Sequence, residues 1–202
     1  MRRLESKDLV IATHNAGKLA EFRELLAPYG INVISAGDLG LEEPEETEST
    51  FAGNARIKAH FAARESGLPA LSDDSGICVE ALDGAPGVHT AVWAETPEGR
   101  NFPMAMKKVW DLLEAQNAPE PRRACFICTL CLAWPDGHDE IFEGRVDGRL
   151  VWPMRGDHGF GFDPIFLPDG ESQTFGEMNP AQKKEISHRS DAFRKLIRNC
   201  LA

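Results

Sequence analysis

The stretch Asp8-Leu9-Val10-Ile11-Ala12-Thr13-His14-Asn15-Ala16-Gly17-Lys18-Leu19 passes from an apolar run into a polar loop that holds a glycine. Leu9 to Ala12 is short and apolar, the pattern of a buried strand. Beyond the loop, Leu19, Phe22, Leu25 and Leu26 share one face of a helix. Strand, polar loop, helix is the repeating unit of α/β folds, in which ligands lie beyond the strand ends. The loop from Thr13 to Lys18 offers free backbone N–H groups at a helix start, and Lys18 adds a cation, so it suits a phosphate. It is not a P-loop, because the first glycine is missing and Leu19 stands in place of Ser or Thr. A capped turn is the competing reading.

Outward from this unit, residues 40–50 are acidic and turn-like, and Phe51 to Glu65 has helical composition with Ser49 or Thr50 as its cap. Ala70 to Glu80 reads as a strand, a tight turn and a second strand. Residues 101–116 form another helix. Arg123 to Val146 predicts a β hairpin about Pro135-Asp136-Gly137. Asn179-Pro180 marks a helix start, and Ser190 caps a last helix whose Phe193, Leu196, Ile197 and Cys200 share a face. The expected fold is a single α/β domain over residues 1–202, with room for two lobes.

Bulk properties narrow the function. The chain has 202 residues, 22 Lys plus Arg and 32 Asp plus Glu, a formal charge of −10. That balance disfavours a nucleic-acid polymer, whose binding needs a basic surface. No apolar run approaches the roughly 18 residues of a membrane span, and no signal peptide is evident at the start. A cytoplasmic protein is the expectation. Cys125, Cys128 and Cys131 suggest a metal site by spacing alone, but they lie in a buried-strand pattern that sends Cys125 and Cys128 to opposite faces.

Further segments carry candidate chemistry. In Ser72-Asp73-Asp74-Ser75-Gly76, adjacent carboxylates need a cation or donors to offset their repulsion. Mg²⁺ takes oxygen ligands and often uses one or two carboxylates plus substrate phosphates; an acidic surface turn is the plainer reading. Glu45 and Glu46 can supplement such an ion or be solvated charges. Gly159-Phe160-Gly161-Phe162-Asp163-Pro164 leaves a ring free to stack on a base, with Asp163 as an acceptor for a purine edge, or else forms a buried aromatic turn. Lys183, Lys184, His188 and Arg189 make a basic group suited to phosphate or a keto oxygen, or a solvated helix face.

Taken in order, Thr13 to Lys18, Glu45-Glu46-Thr47 followed by Phe51-Ala52-Gly53-Asn54-Ala55-Arg56-Ile57-Lys58-Ala59, Ser72 to Gly76, Gly84-Ala85-Pro86-Gly87-Val88, Gly159 to Pro164 and Ser187-His188-Arg189 resemble the inosine triphosphate pyrophosphatase family. The likeness runs from about residue 8 to the last helix. It implies a mixed central sheet with flanking helices, two lobes around a substrate cleft, a homodimer, and Mg²⁺-dependent hydrolysis of non-standard purine nucleoside triphosphates to monophosphate and pyrophosphate. By the same resemblance, Thr13, His14, Asn15, Ala16, Gly17, Lys18 and Lys58 hold the triphosphate. Glu45, Asp73 and Asp74 serve the metal, and Asp74 accepts the proton of the attacking water. Ser75 contacts substrate, while Phe160, Gly161, Phe162, Asp163, Lys183, His188 and Arg189 form the base end. Four departures stand out: His14 for a common glycine, Gly53 for a glutamate, Phe162 for a tyrosine, and His89-Thr90-Ala91-Val92 where the family has Tyr-Ser-Ala-Arg. A pyrophosphatase of the septum-formation type and a non-hydrolysing nucleotide sensor are the rival readings.

Overall fold

The computed structural model describes residues 1–201. Its strands and helices run β1 (Asp8–Ile11), α1 (Ala16–Leu26), β2 (Asn32–Ser35), α2 (Phe51–Ser66), β3 (Ala70–Val79), β4 (Glu95–Thr96), β5 (Gly99–Arg100), α3 (Phe102–Ala115), β6 (Arg123–Ala133), β7 (Asp139–Leu150), β8 (Phe166–Pro168), α4 (Pro180–Ile186) and α5 (His188–Leu196). Six strands pair in the order β2-β1-β3-β6-β7-β8, and β4 with β5 makes a separate ribbon. β1 is parallel to β2 and β3, whereas β7 and β8 are antiparallel, so the sheet is mixed.

Local chemistry sets most boundaries. The Asn15 side chain accepts from the Lys18 amide at 3.0 Å and starts α1. Thr50 caps α2 by accepting from Gly53, and Gly67, in the left-handed region at φ 70°, ends that helix. Asn101 caps α3, with Pro103 in its first turn. Asn179 and Gln182 form a reciprocal capping box at the start of α4. The hairpin expected about Pro135 to Gly137 is β6 and β7.

Two expectations are corrected. Ala70 to Val79 is one unbroken strand, not two strands about a turn, so Asp73 and Asp74 lie within a strand and not at its end. The Asp-Asp-Ser-Gly sequence mimics a turn, but cations from elsewhere in the chain hold its carboxylates and the backbone stays extended. The last helix begins at His188, and the serine at its start is Ser187, whose hydroxyl accepts from the Ser190 amide at 3.2 Å.

The chain forms two compact units of interleaved segments. The first comprises Met1–Asp74, Cys128–Gly144 and residues from Asp191 onward; the second comprises Ser75–Ile127 and Arg145–Ser190. In the first, Leu9, Ile11, Phe22, Leu26, Leu71, Leu130 and Phe193 make one core. There α2 turns Ala55, Ala59, Ala62 and Ala63 onto Val10, Ala12, Ala70 and Ala133. Small side chains at that spacing let the helix backbone approach the strands closely. In the second unit, Ile77, Val79 and Phe126 pack with Met106, Val109 and Leu113 of α3 and with Phe162, Phe166 and Phe175. Phe126 and Phe166 meet edge to face, their ring centroids 4.7 Å apart.

Candidate active site

In the first unit, β1 delivers the loop from Thr13 to Lys18. The Thr13 hydroxyl accepts from the Asn15 amide at 3.2 Å, fixing the turn. His14, Ala16 and Gly17 are exposed. The amides of Ala16 and Gly17 belong to the first helical turn and have no partner within the helix. The capped-turn reading and the phosphate reading therefore describe one object, a capped helix start with open amides. His14 donates through Nε2 to the Leu41 carbonyl at 2.9 Å, joining this loop to the acidic segment that follows β2.

Lys18 reaches Asp73 at 3.0 Å, and the Asp73 side chain is fully buried. Lys58 projects from α2 to Asp74 at 3.5 Å and is also ion-paired with Glu46. Asn54 lies one helical turn before Lys58 on the same buried face. Its Nδ2 donates to Asp74 Oδ2 at 3.4 Å, and its Oδ1 accepts from the Glu48 amide at 2.9 Å. Asn54 thus ties the acidic segment to β3, a role that the sequence motifs assign to no residue. In sequence Asn54 shows only as an asparagine four residues before a lysine on an alanine-rich helix face. Glu46 is the glutamate brought onto Lys58, while Glu45 is exposed.

Burial dominates the proton affinity of Asp74 and pushes it up to about 6; Lys58 and Lys18 oppose the rise, and Glu46 and Asp73 add to it. Burial works against the Lys58 ammonium, but Asp74, Asp73 and Glu46 outweigh it and lift lysine above its ordinary range. The donor set is made of carboxylate oxygens, hard ligands of the kind Mg²⁺ takes. They already enclose one cation, the Lys58 ammonium. Among the described residues no three His, Cys, Asp or Glu side chains converge closely enough to complete a metal shell. Asp73, Asp74 and Glu46 offer oxygen ligands to an ion whose shell phosphate oxygens would complete.

In the second unit, the Gly159–Pro164 passage is built around Asp163. Its Oδ2 accepts from the Phe160 amide at 2.8 Å and from Lys183 Nζ at 2.6 Å. Burial holds this carboxyl above the usual carboxylate range against the pull of Lys183, the Phe160 amide and Arg189. Gly159 sits at φ +74°, and a Cβ there would come within 2.0 Å of Asp163 Oδ2, so only glycine permits the turn. The turn presents Phe160, 40% exposed, with Lys183 Nζ 4.9 Å and Arg189 Cζ 5.8 Å from its ring centre. Phe162 points the other way: it is 1% exposed and packs edge to face on Phe102. The phenylalanine that replaces tyrosine is a core residue here. Asp163 is engaged in positioning Phe160 and Lys183.

His188 stacks on Phe126 with ring centroids 4.9 Å apart, and Arg189 reaches Ser75 Oγ at 3.4 Å. Both are buried. Gly161, at φ +66°, completes the turn. Of the departures, Thr90 accepts from the Ile77 amide at 3.0 Å and donates to the Gly87 carbonyl, anchoring the segment after β3. Val92 is exposed. A Cβ on Gly53 would meet Glu48 Cβ at 2.5 Å, so the acidic segment occupies the space a glutamate side chain would need.

Comparison with known proteins places the chain in a family. The family model described as Ham1 family matches residues 9–199. The chain is 60% identical over 199 residues to a dITP/XTP pyrophosphatase of Ruegeria pomeroyi, covering 98% of each chain. It is 54% identical to a protein of the same name from Agrobacterium fabrum, covering 100% of this chain and 99% of that one. A HAM1 protein of Coxiella burnetii superposes with a TM-score of 0.86 at 38% identity, over 94% of this chain and 95% of its own. Family match, full-length identity and shared fold coincide, and the chain belongs to the Ham1 family.

Proposed function

We propose that this protein is a nucleoside-triphosphate pyrophosphatase that hydrolyses non-standard purine nucleotides, dITP, ITP and XTP, to the monophosphate and pyrophosphate, keeping them out of DNA and RNA. The observation that carries the reading is Asp74: a buried carboxylate, its proton affinity raised to about 6, with Lys58 at 3.5 Å and Lys18 on the neighbouring Asp73. Such a carboxylate is largely ionised at neutral pH yet basic enough to take a proton from water, the match a general base requires.

The chain's own groups divide the work. Lys18, Lys58 and the first amides of α1 bind the phosphates, with Thr13, His14, Asn15, Ala16 and Gly17 shaping the loop that presents them. Asp74 orients the water that attacks the α-phosphorus and receives its proton. Lys58 stays beside the departing pyrophosphate, where its charge stabilises the developing anion. Asp73, held by Lys18, and Glu46 or Glu45 join Asp74 as the residues that would hold Mg²⁺. When bound, that ion neutralises phosphate charge and polarises the phosphoryl oxygens.

At the other end, Phe160 offers an exposed face for the base, and Lys183, His188, Arg189 and Ser75 supply polar contacts. A 6-keto oxygen accepts from a guanidinium or amide donor; the amino group of adenine faces it donor to donor. A donor left unsatisfied in a closed site costs about 1–3 kcal/mol. The resemblance to the inosine triphosphate pyrophosphatase family also leads us to propose a homodimer acting in the cytoplasmic nucleotide pool.

Hydrolysis of ITP in oxygen-labelled water, with Mg²⁺ present, tests the chemistry. Label in the monophosphate, with none in pyrophosphate and no turnover by Asp74→Asn, is expected. Label in inorganic phosphate would identify a terminal phosphatase, and binding without turnover by the wild type would identify a nucleotide sensor.

A further inference from the structure

In the second unit, Cys78 and Cys125 line one cavity of about 350 Å³ together with Glu80, Arg123, Arg145 and Asp147. The three strands that supply most of these residues, β3, β6 and β7, are consecutive neighbours in the sheet. Side chains alternate faces along a strand. Ile77 and Val79 on β3 and Ala124 and Phe126 on β6 enter the core beneath α3. Cys78 and Cys125, each between two core residues, therefore leave their strands on the opposite face. Arg123 and Cys125 on β6, and Arg145 and Asp147 on β7, are two residues apart and follow this alternation, while Ala124 and Gly84 complete the wall.

Both sulfurs lie within electrostatic range of the Arg145 guanidinium, on a face that also carries the carboxylates of Glu80 and Asp147. Arg123 is held by two 2.7 Å hydrogen bonds to Asp169, and Arg145 by bonds of 2.9 and 2.7 Å to Asp147, so neither is an open receptor for a free anion. Access differs between the two thiols: Cys78 is half-buried and Cys125 is 6% exposed. Cys128, Cys131 and Cys200 are fully buried.

We propose that Cys78 and Cys125 are an oxidant-sensitive thiol pair that closes to a disulfide when a small peroxide enters this cavity. The Cys78 thiolate attacks one peroxide oxygen, the O–O bond breaks, and Cys78 sulfenic acid and hydroxide form. The Cys125 thiolate then attacks the Cys78 sulfur, the S–O bond breaks, and a second hydroxide leaves. With the two thiol protons, both hydroxides become water; the sulfurs lose two electrons and the peroxide gains them. The bond joins neighbouring strands, and β3 is also the strand that carries Asp73 and Asp74. This assignment stands apart from the proposed hydrolysis.

The test treats the reduced, full-length protein with hydrogen peroxide, blocks remaining thiols under denaturing conditions and maps the peptides. Expected is a linked pair of peptides joining Cys78 to Cys125, lighter by two hydrogens and reversed by a reductant, while Cys128, Cys131 and Cys200 are recovered as blocked thiols. Cys125→Ser is expected to stop at a sulfenic acid on Cys78, trapped by a dione probe. The wild-type map decides the question alone if a serine variant does not fold. Recovery of both thiols unchanged, conversion of Cys78 to a sulfinic acid with no cross-link, or a bond from Cys78 to another cysteine or a second chain would overturn the proposal.

Discussion

Replacing Asp74 with asparagine should abolish hydrolysis and, in the metal-free protein, raise stability. Asp74 is 5% exposed, and its proton affinity rises from 3.8 to about 6, chiefly through burial. At about 1.4 kcal/mol for each tenfold change in affinity, the fold disfavours the Asp74 anion by about 3 kcal/mol relative to its neutral form. The native state binds more protons than the unfolded chain between pH about 4 and 6, so stability from this group is present below that window and lost as pH rises through it. Asparagine mimics the neutral form. Above pH 7, with a chelator present, Asp74→Asn should therefore melt about 6–12 °C higher than the wild type, at about 2–4 °C per kcal/mol for a chain of this size. Below pH 4 the difference should vanish. Contributions from other carboxylates, such as Asp139 with His60 and Arg56, cancel between the two proteins. Adding Mg²⁺ should stabilise the wild type and leave the variant unmoved, narrowing the gap. Differential scanning calorimetry across pH makes the comparison. A variant that melts at or below the wild type at neutral pH, or a gap independent of pH, would refute this reasoning.

Phe160→Ala removes an exposed ring and should leave the melting temperature unchanged while weakening kcat/KM for ITP by about 10–100-fold, the size of one base–aromatic stack. Gly159→Ala drives a Cβ against Asp163 Oδ2 and should lose more than about 2 kcal/mol in a denaturant titration, with KM rising as Phe160 and Lys183 shift. Gly53→Ala meets Glu48 and should cost about 1–3 kcal/mol, read in the same way. Burial pushes the Cys131 thiol up to about 12, so Cys131 should resist alkylation at mildly alkaline pH until the protein is unfolded, as peptide mass analysis will show.

Elements whose edges are set by neighbouring residues were legible in the sequence. Thr50 and Asn179 cap the helices that follow them, and the apolar runs about Pro135 to Gly137 became the hairpin. What failed depends on distant partners. Ser72 to Gly76 reads as a turn because nothing nearby offsets its charges; Lys18 and Lys58, 55 and 16 residues before the aspartates they meet, keep it extended. The same distance hid Asn54, whose partners Asp74 and Glu48 lie on other segments. Phe160 and Phe162 look alike in sequence, and only the Asp163-centred turn decides which ring is exposed. The division into interleaved units arises from strand pairing that no local pattern encodes.

The most direct measurement is initial-rate pyrophosphate release from dITP, ITP, XTP, dGTP, GTP and ATP under identical Mg²⁺ conditions. The proposed function predicts kcat/KM for the inosine and xanthosine nucleotides well above that for ATP and the guanine nucleotides, with the monophosphate as co-product. Equal rates across the purines, or preference for a canonical nucleotide, would contradict it.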